Sequence, residues 1–141
     1  MTMNNGFSIA RLPRIEMAVG ARKMLPSLAS QFGKRVLVVT GGQSFTEGQY
    51  WPELQQGLQQ QALSWWHCVV DTEPSPELID NQVEIYAREN IDVVLAIGGG
   101  SALDAAKAIA GLLRVGCSVM DYLEGVGPEL PYEGPAVPLI A

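Results

Sequence analysis

The sequence predicts an α/β fold, a Rossmann-like parallel sheet flanked by helices, with an N-terminal edge hairpin or arm. Three observations predict it. Short β-branched runs alternate with stretches of helical spacing, as in a parallel sheet with crossover helices. One of those runs passes straight into three glycines and the start of a helix. And 141 residues, 48% of them hydrophobic and 17% charged, supply one domain with a sizeable core.

Taken in order, Phe7 to Arg11 and Arg14 to Val19 alternate around Pro13, which suits an edge hairpin or extended arm better than a central strand. Residues 21–31 place Met24, Leu25, Leu28 and Phe32 at helical spacing around Pro26. Gly33-Lys34-Arg35 reads as a solvated loop end. Val36 to Thr40, Trp65 to Val70 and Ile91 to Ile97 are nearly continuous apolar runs, as expected of strands buried on both faces. Between them, residues 52–63 start at Pro52 and set Leu54, Leu58 and Ala62 on one face with glutamines opposite. Residues 77–89 align Ile79, Val83 and Tyr86. Residues 102–113 carry Ala102, Ala105, Ala106, Ile109, Ala110 and Leu113. Met120 to Pro138 is rich in Gly and Pro and predicts a long loop. The apolar run Ala136 to Ala141 then resembles a strand entering further structure, as if the chain were cut there.

Charge excludes several classes of function. The net charge is -6, which disfavours nucleic acid and polybasic membrane binding. No run reaches the roughly 18–20 apolar residues of a membrane span. The polar Met1 to Asn5 is followed by no secretory signal, so a cytoplasmic protein is expected. Two cysteines, Cys68 and Cys117, make no disulfide framework and read as buried thiols in a reducing compartment.

Chemistry concentrates at Ile97-Gly98-Gly99-Gly100-Ser101-Ala102-Leu103-Asp104. Glycines at a strand end let the backbone turn tightly and approach a ligand. The N–H groups and positive dipole end of the following helix favour a pyrophosphate or another anion. Leu103 stands where the Rossmann fingerprint needs Gly or Ala, and no Walker Gly-Lys-Ser/Thr follows. A purely structural turn is the other reading: Ser101 and Asp104 approach a capping box, and Asp104 with Lys107 is an i, i+3 ion pair.

The block Gly98-Gly99-Gly100-Ser101-x-x-Asp104-x-Ala106-Lys107-Ala108 resembles the signature of the iron-containing (group III) alcohol dehydrogenases. Ile15 to Pro26 with Gly20 is similar to that family's opening strand and helix entry, and Arg35 to Thr40 to its first nucleotide-binding strand. Glu73-Pro74-Ser75-Pro76 is similar to its Pro-x-Pro turn, and Ala136 to Ala141 to the strand before its Thr-Thr motif. The resemblance implies a dinucleotide-binding domain over 1–141, without the family's C-terminal helical metal-binding domain. It implies that Gly98, Gly99, Gly100 and Ser101 cradle the pyrophosphate of NADP or NAD. Asp104 would lie towards the nicotinamide and Ser75 along the adenine side. Where NAD-preferring members carry an Asp after the first strand, this chain has Gly41, followed by Gly42. That leaves room for a 2′-phosphate and modestly favours NADP, although no Lys or Arg stands in the motif.

The resemblance further implies, for a full-length parent enzyme, hydride transfer between nicotinamide and a small primary alcohol or aldehyde at Fe2+ or Zn2+. The chain's one histidine, His67, cannot make a metal site alone and reads as structural. The fragment alone is expected to be inactive. Glycerol dehydrogenase or dehydroquinate synthase-like domains share a similar turn, and a non-catalytic nucleotide-binding module is the alternative from another class. Expected exposure of the strand ending at Ile140, together with the three tryptophans and several other apolar residues, suggests a homo-oligomer.

Overall fold

Val36, Leu37, Val38 and Val39 are wholly buried because their strand lies inside the sheet with helices on both faces. The computed structural model describes residues 10–141. Strand β1, Arg35–Thr40, pairs in parallel with β2, Ser64–Val69, on one side and with β3, Val93–Ile97, on the other. A short β4, Leu139–Ile140, pairs in parallel with β3, giving the order β2-β1-β3-β4. The predicted last strand is therefore present, over its final apolar residues.

The pleat divides the core in two. Val36, Val38, Val93 and Leu95 point to one face, under Ala29 of helix α1, Leu25–Ser30, and Leu54 and Leu58 of α2, Tyr50–Gln60. Leu37, Val39, Val94 and Ala96 point to the other, under Ile79 of α3, Pro76–Tyr86, and the apolar face of α4, Gly100–Leu112. That face is Ala105, Ala106, Ile109, Ala110 and Leu112, close to the stripe expected from the spacing.

Several expectations are corrected. Strand β2 is not buried on both faces: only Cys68 is buried, and Ser64 and Val69 are exposed, because β1 is its one partner among the described residues. Residues 21–31 split into a 3-10 turn, Ala21–Met24, and α1, because Pro26 is favoured in the first turn of a new helix. Pro26 and Ala29 are buried there, whereas Phe32 lies outside the helix, half exposed. Helix α2 ends at Gln60, and Ala62 adopts a left-handed φ of 54° as the chain turns into β2, so it leaves the apolar stripe. After α3 a 3-10 turn, Ala87–Glu89, ends at Asn90 with a left-handed φ of 50°, a conformation Asn tolerates. The arm alternative suits the N-terminus: residues 10–18 carry neither helix nor strand and lie exposed, so Ile15 to Ala18 form no opening strand. Phe7 to Ile9, the first part of the expected hairpin, lie outside the described residues.

Gly33-Lys34-Arg35 is also more than a loop end. One oxygen of Asp92 accepts the backbone N–H of Lys34 (2.8 Å) and of Arg35 (3.0 Å), tying β1 to the start of β3. Gly33 has a φ of 149°, and a Cβ there would collide with the Asp92 carboxyl. The Arg35 guanidinium covers the Trp66 ring at 4.8 Å and reaches Glu89. The tail is held at its two ends. Asp80 of α3 accepts the N–H of Val119 at 2.8 Å and the Ser118 hydroxyl, and Val137 N–H reaches the Ala110 carbonyl at 2.8 Å. Cys68 is buried as expected, but Cys117, just before that tail, is only half-buried. Trp51 packs edge-on against Phe45 and Trp65, so these two tryptophans are occupied within the domain. The exposed large apolar side chains include Leu12, Ile15, Met17 and Val19 of the arm.

Asp92→Ala is expected to lower stability by about 1–3 kcal/mol, because two N–H groups lose a charged acceptor. Urea unfolding should show the loss as a lower midpoint with an unchanged slope.

Candidate functional site

The chain runs from β1 outward to β2, then crosses back over β1 to β3 on its other side. The connections after β1 and β3 therefore diverge, and a crevice opens between the carboxyl ends of those strands, the usual binding place of an open α/β sheet. Gly41 and Gly42 follow β1 there, and Gly98 to Gly100 follow β3.

The three glycines of the second turn have different work. Gly98 has a φ of 154°, and a Cβ on it would lie 2.9 Å from Ala102 Cβ and 3.1 Å from the Gly41 nitrogen. Glycine is required so that the two turns can touch. Gly99 (φ -81°, ψ -170°) has ordinary extended geometry, and a Cβ at Gly99 or Gly100 would meet nothing within 4 Å. Those two face open space.

Gly99 is the N-cap of α4 and offers no side chain, and Leu103 N–H donates to its carbonyl at 3.1 Å. The N–H groups of Gly100, Ser101 and Ala102 are thus left without an intrahelical acceptor. The anticipated capping box is absent. The helix starts at Gly100, one residue before Ser101, so Ser101 lies within the first turn and its hydroxyl donates to Glu73 Oε1 at 2.9 Å. The expected Asp104–Lys107 pair is present at 3.6 Å, with both side chains well exposed.

A Cβ on Gly41 would lie 4.0 Å from the Val70 carbonyl, and one on Gly42 3.7 Å from Asp71 Cβ; neither glycine has a positive φ. The fold thus gathers Gly41, Gly42, Gly98 and Ser101 at one end of the sheet, with Asp71 and Glu73 beside them. Ser75 sits apart from that contact set as the N-cap of α3, its hydroxyl accepting Leu78 N–H at 3.1 Å.

Beneath Gly41, the wholly buried Thr40 donates its hydroxyl to the Gly41 carbonyl at 3.0 Å. His67 Nε2 lies 2.8 Å from the Thr40 hydroxyl, so with Thr40 donating onward the imidazole is the donor at Nε2. The His67 ring packs on Trp51 at 4.5 Å between centroids, and burial pushes its pKa below the ordinary 6.5. Burial raises the Cys68 thiol to about 11, and its Sγ lies 3.3 Å from Gln82 Oε1, so it is no ready nucleophile. Among the described residues no three His, Cys, Asp or Glu side chains gather to hold a metal. A hollow between the Ala21–Met24 turn and α2 is lined by groups that satisfy one another, with Arg22 over the Tyr50 ring and 3.3 Å from Glu53.

The sequence pattern did not reveal Glu73 as the partner of Ser101, nor the His67–Thr40–Gly41 chain. The one signal was position, each residue standing at or near the carboxyl end of a strand.

The sequence profile of iron-containing alcohol dehydrogenases matches residues 13–141. The chain belongs to that family. Alcohol dehydrogenase 4 of Schizosaccharomyces pombe is 36% identical over 110 residues, covering 77% of this chain and 25% of the relative. A probable NADH-dependent butanol dehydrogenase of Bacillus subtilis is 36% identical over 93 residues, covering 64% of this chain and 24% of the relative. The chain therefore spans about a quarter of the length of those curated relatives. Among solved structures, an iron-containing alcohol dehydrogenase of Thermotoga maritima is 30% identical with a TM-score of 0.71, over 84% of this chain and 32% of that one. The NADH-dependent butanol dehydrogenase A of the same organism superposes with a TM-score of 0.83 at 24% identity, over 95% of this chain and 33% of that one, and so supports the fold. The family assignment bears out the resemblance, and the parallel sheet bears out the fold class.

His67 is the only histidine in the chain, which makes its titration directly readable. Its NMR midpoint is expected below 6.5. Because the folded imidazole protonates at lower pH than the unfolded one, its contribution weakens the fold as pH falls through the window below 6.5. Replacement by Gln should reduce that part of the acid loss of stability.

Proposed function

We propose that this domain binds a nicotinamide dinucleotide, NAD or NADP, with its pyrophosphate over Gly98, Gly99, Gly100 and Ser101. In the whole protein, that cofactor exchanges a hydride with a small primary alcohol or aldehyde. The observation that carries the reading is the uncapped start of α4: three N–H groups without an intrahelical acceptor beside two glycines that face open space, at the divergence of β1 and β3. An anion is the natural complement of such a helix end. Relatives named as NADH-dependent butanol dehydrogenases support a nicotinamide cofactor and an alcohol substrate.

In this reading Gly41 and Gly42 form the low floor under the adenosine half. Ser75 contributes from the α3 start on the adenine side, and Asp104 stands on the exposed first turn of α4 towards the nicotinamide. The cofactor supplies the hydride chemistry, and this chain's residues bind and orient it. The iron implied by the family name finds no fitting donor set here, since the single imidazole is engaged with Thr40 and Trp51 and no three-donor cluster exists among the described residues. No step is assigned to a metal within this domain, and the domain alone is proposed to be inactive. A cytoplasmic setting agrees with the two free cysteines, and a homo-oligomer with the exposed apolar arm. No helix among the described residues is long and apolar enough to cross a membrane.

The test is fluorescence titration of the 141-residue chain with NADH and NADPH. Saturable binding is expected for at least one. Gly99→Val should abolish it at a stability cost of no more than about 1 kcal/mol, that of a poorer N-cap residue, since its Cβ enters only open space. Gly98→Val should instead destabilise the fold by about 1–3 kcal/mol or more, through its φ and its contact with Gly41. A folded wild-type chain that binds neither nucleotide would overturn the proposal.

A further inference from the structure

Gly41 on its own leaves space for the 2′-phosphate of NADP, but the fold sets an acidic residue from the turn after the neighbouring strand beside the next residue, Gly42. Asp71 lies just beyond β2, and its Cβ is 3.7 Å from the position of a Cβ built on Gly42. It is exposed and has no hydrogen-bond or ion-pair partner among the described residues. Glu73, two residues on, is by contrast already engaged with Ser101.

The charged residues of the two turns are all acidic. Residues 41–49 and 70–75, the turns after β1 and β2, contain Glu47, Asp71 and Glu73 and none of the chain's nine Lys and Arg. A pyrophosphate at the end of β3 would send its adenosine half across β1 towards β2, in strand steps of about 4.8 Å. That path crosses Gly41 and Gly42 and arrives at Asp71.

Building on the dinucleotide reading above, we infer that Asp71 is the residue that selects NAD over NADP. Its carboxylate accepts hydrogen bonds from the adenosine ribose hydroxyls, which are charge-assisted and therefore strong. A 2′-phosphate removes one of those hydroxyls and sets its own negative charge against the carboxylate, with no cation in either turn to neutralise it. The missing carboxylate of the first turn is thereby supplied by the second, and the preference that Gly41 alone would give is reversed.

The experiment measures NADH and NADPH affinities for wild type, Asp71→Asn and Asp71→Ser at low ionic strength. Wild type should bind NADH at least about tenfold more tightly than NADPH. The two variants should narrow that ratio about tenfold, Asp71→Ser mainly by tightening NADPH. Tenfold corresponds to about 1.4 kcal/mol, the scale of one close charge contact in partly solvated surroundings. Added salt should narrow the wild-type ratio and affect the variants less. Since Asp71 is exposed and makes no such contact, circular dichroism should show both variants folded. Wild type that favours NADPH, or variants that keep the wild-type ratio, would overturn the role of Asp71 while leaving the site in place. Folded wild type that binds neither nucleotide would overturn the site, and this inference with it.

Discussion

The close passage of Gly98 against Gly41 sets the geometry of the whole crevice. Strands β1 and β3 are neighbours, so the turns that leave them must pass each other within a backbone's width. A Cβ on Gly98 would stand 3.1 Å from the Gly41 nitrogen and 2.9 Å from Ala102. With glycine there, α4 starts immediately and lies back on the sheet. Its facing side chains are largely alanines, which let it sit close over Leu37, Val39, Val94 and Ala96. The direction of α4 then follows, and with it the place to which the N–H groups of its first turn point.

Rigidity and exposure are arranged around that point. The strands beneath the crevice are the most deeply buried part of the molecule, and Asp92 ties β1 to β3 at the opposite end by accepting two backbone N–H groups. At the crevice end two exposed polar pairs are each held by one contact: Ser101 to Glu73, and Asp104 to Lys107. A ligand can displace such contacts without disturbing the core. The division matches a general pattern, in which binding groups stand on loops positioned by a packed scaffold.

Two residues that could pass for chemical machinery are accounted for by packing. His67 lies against Trp51 and bonds Thr40, with its basicity reduced by burial. Cys68 is buried beside Gln82 with its thiol pushed up to about 11, far from the thiolate form that reacts. What stands at the carboxyl ends of the strands is instead an uncapped helix start, glycines that face open space, and nearby carboxylates.

Apolar periodicity and β-branched runs are local properties that survive in one dimension, so the strands, the helices and the glycine turn could be read from the order of residues. The family could be read the same way, through Gly98-Gly99-Gly100-Ser101 and Asp104. Element ends were less legible: Ala62 and Phe32 fit a helical stripe by spacing but lie beyond helix termini set by turn geometry. Which glycine is structural and which two face open space emerged only on folding, since that depends on Gly41, far earlier in the chain. Folding likewise made Ser101 bond Glu73 rather than cap α4, and stood Asp71 beside Gly42. Each is a meeting of strand ends brought about by sheet order, and sheet order is a long-range property that no local pattern encodes.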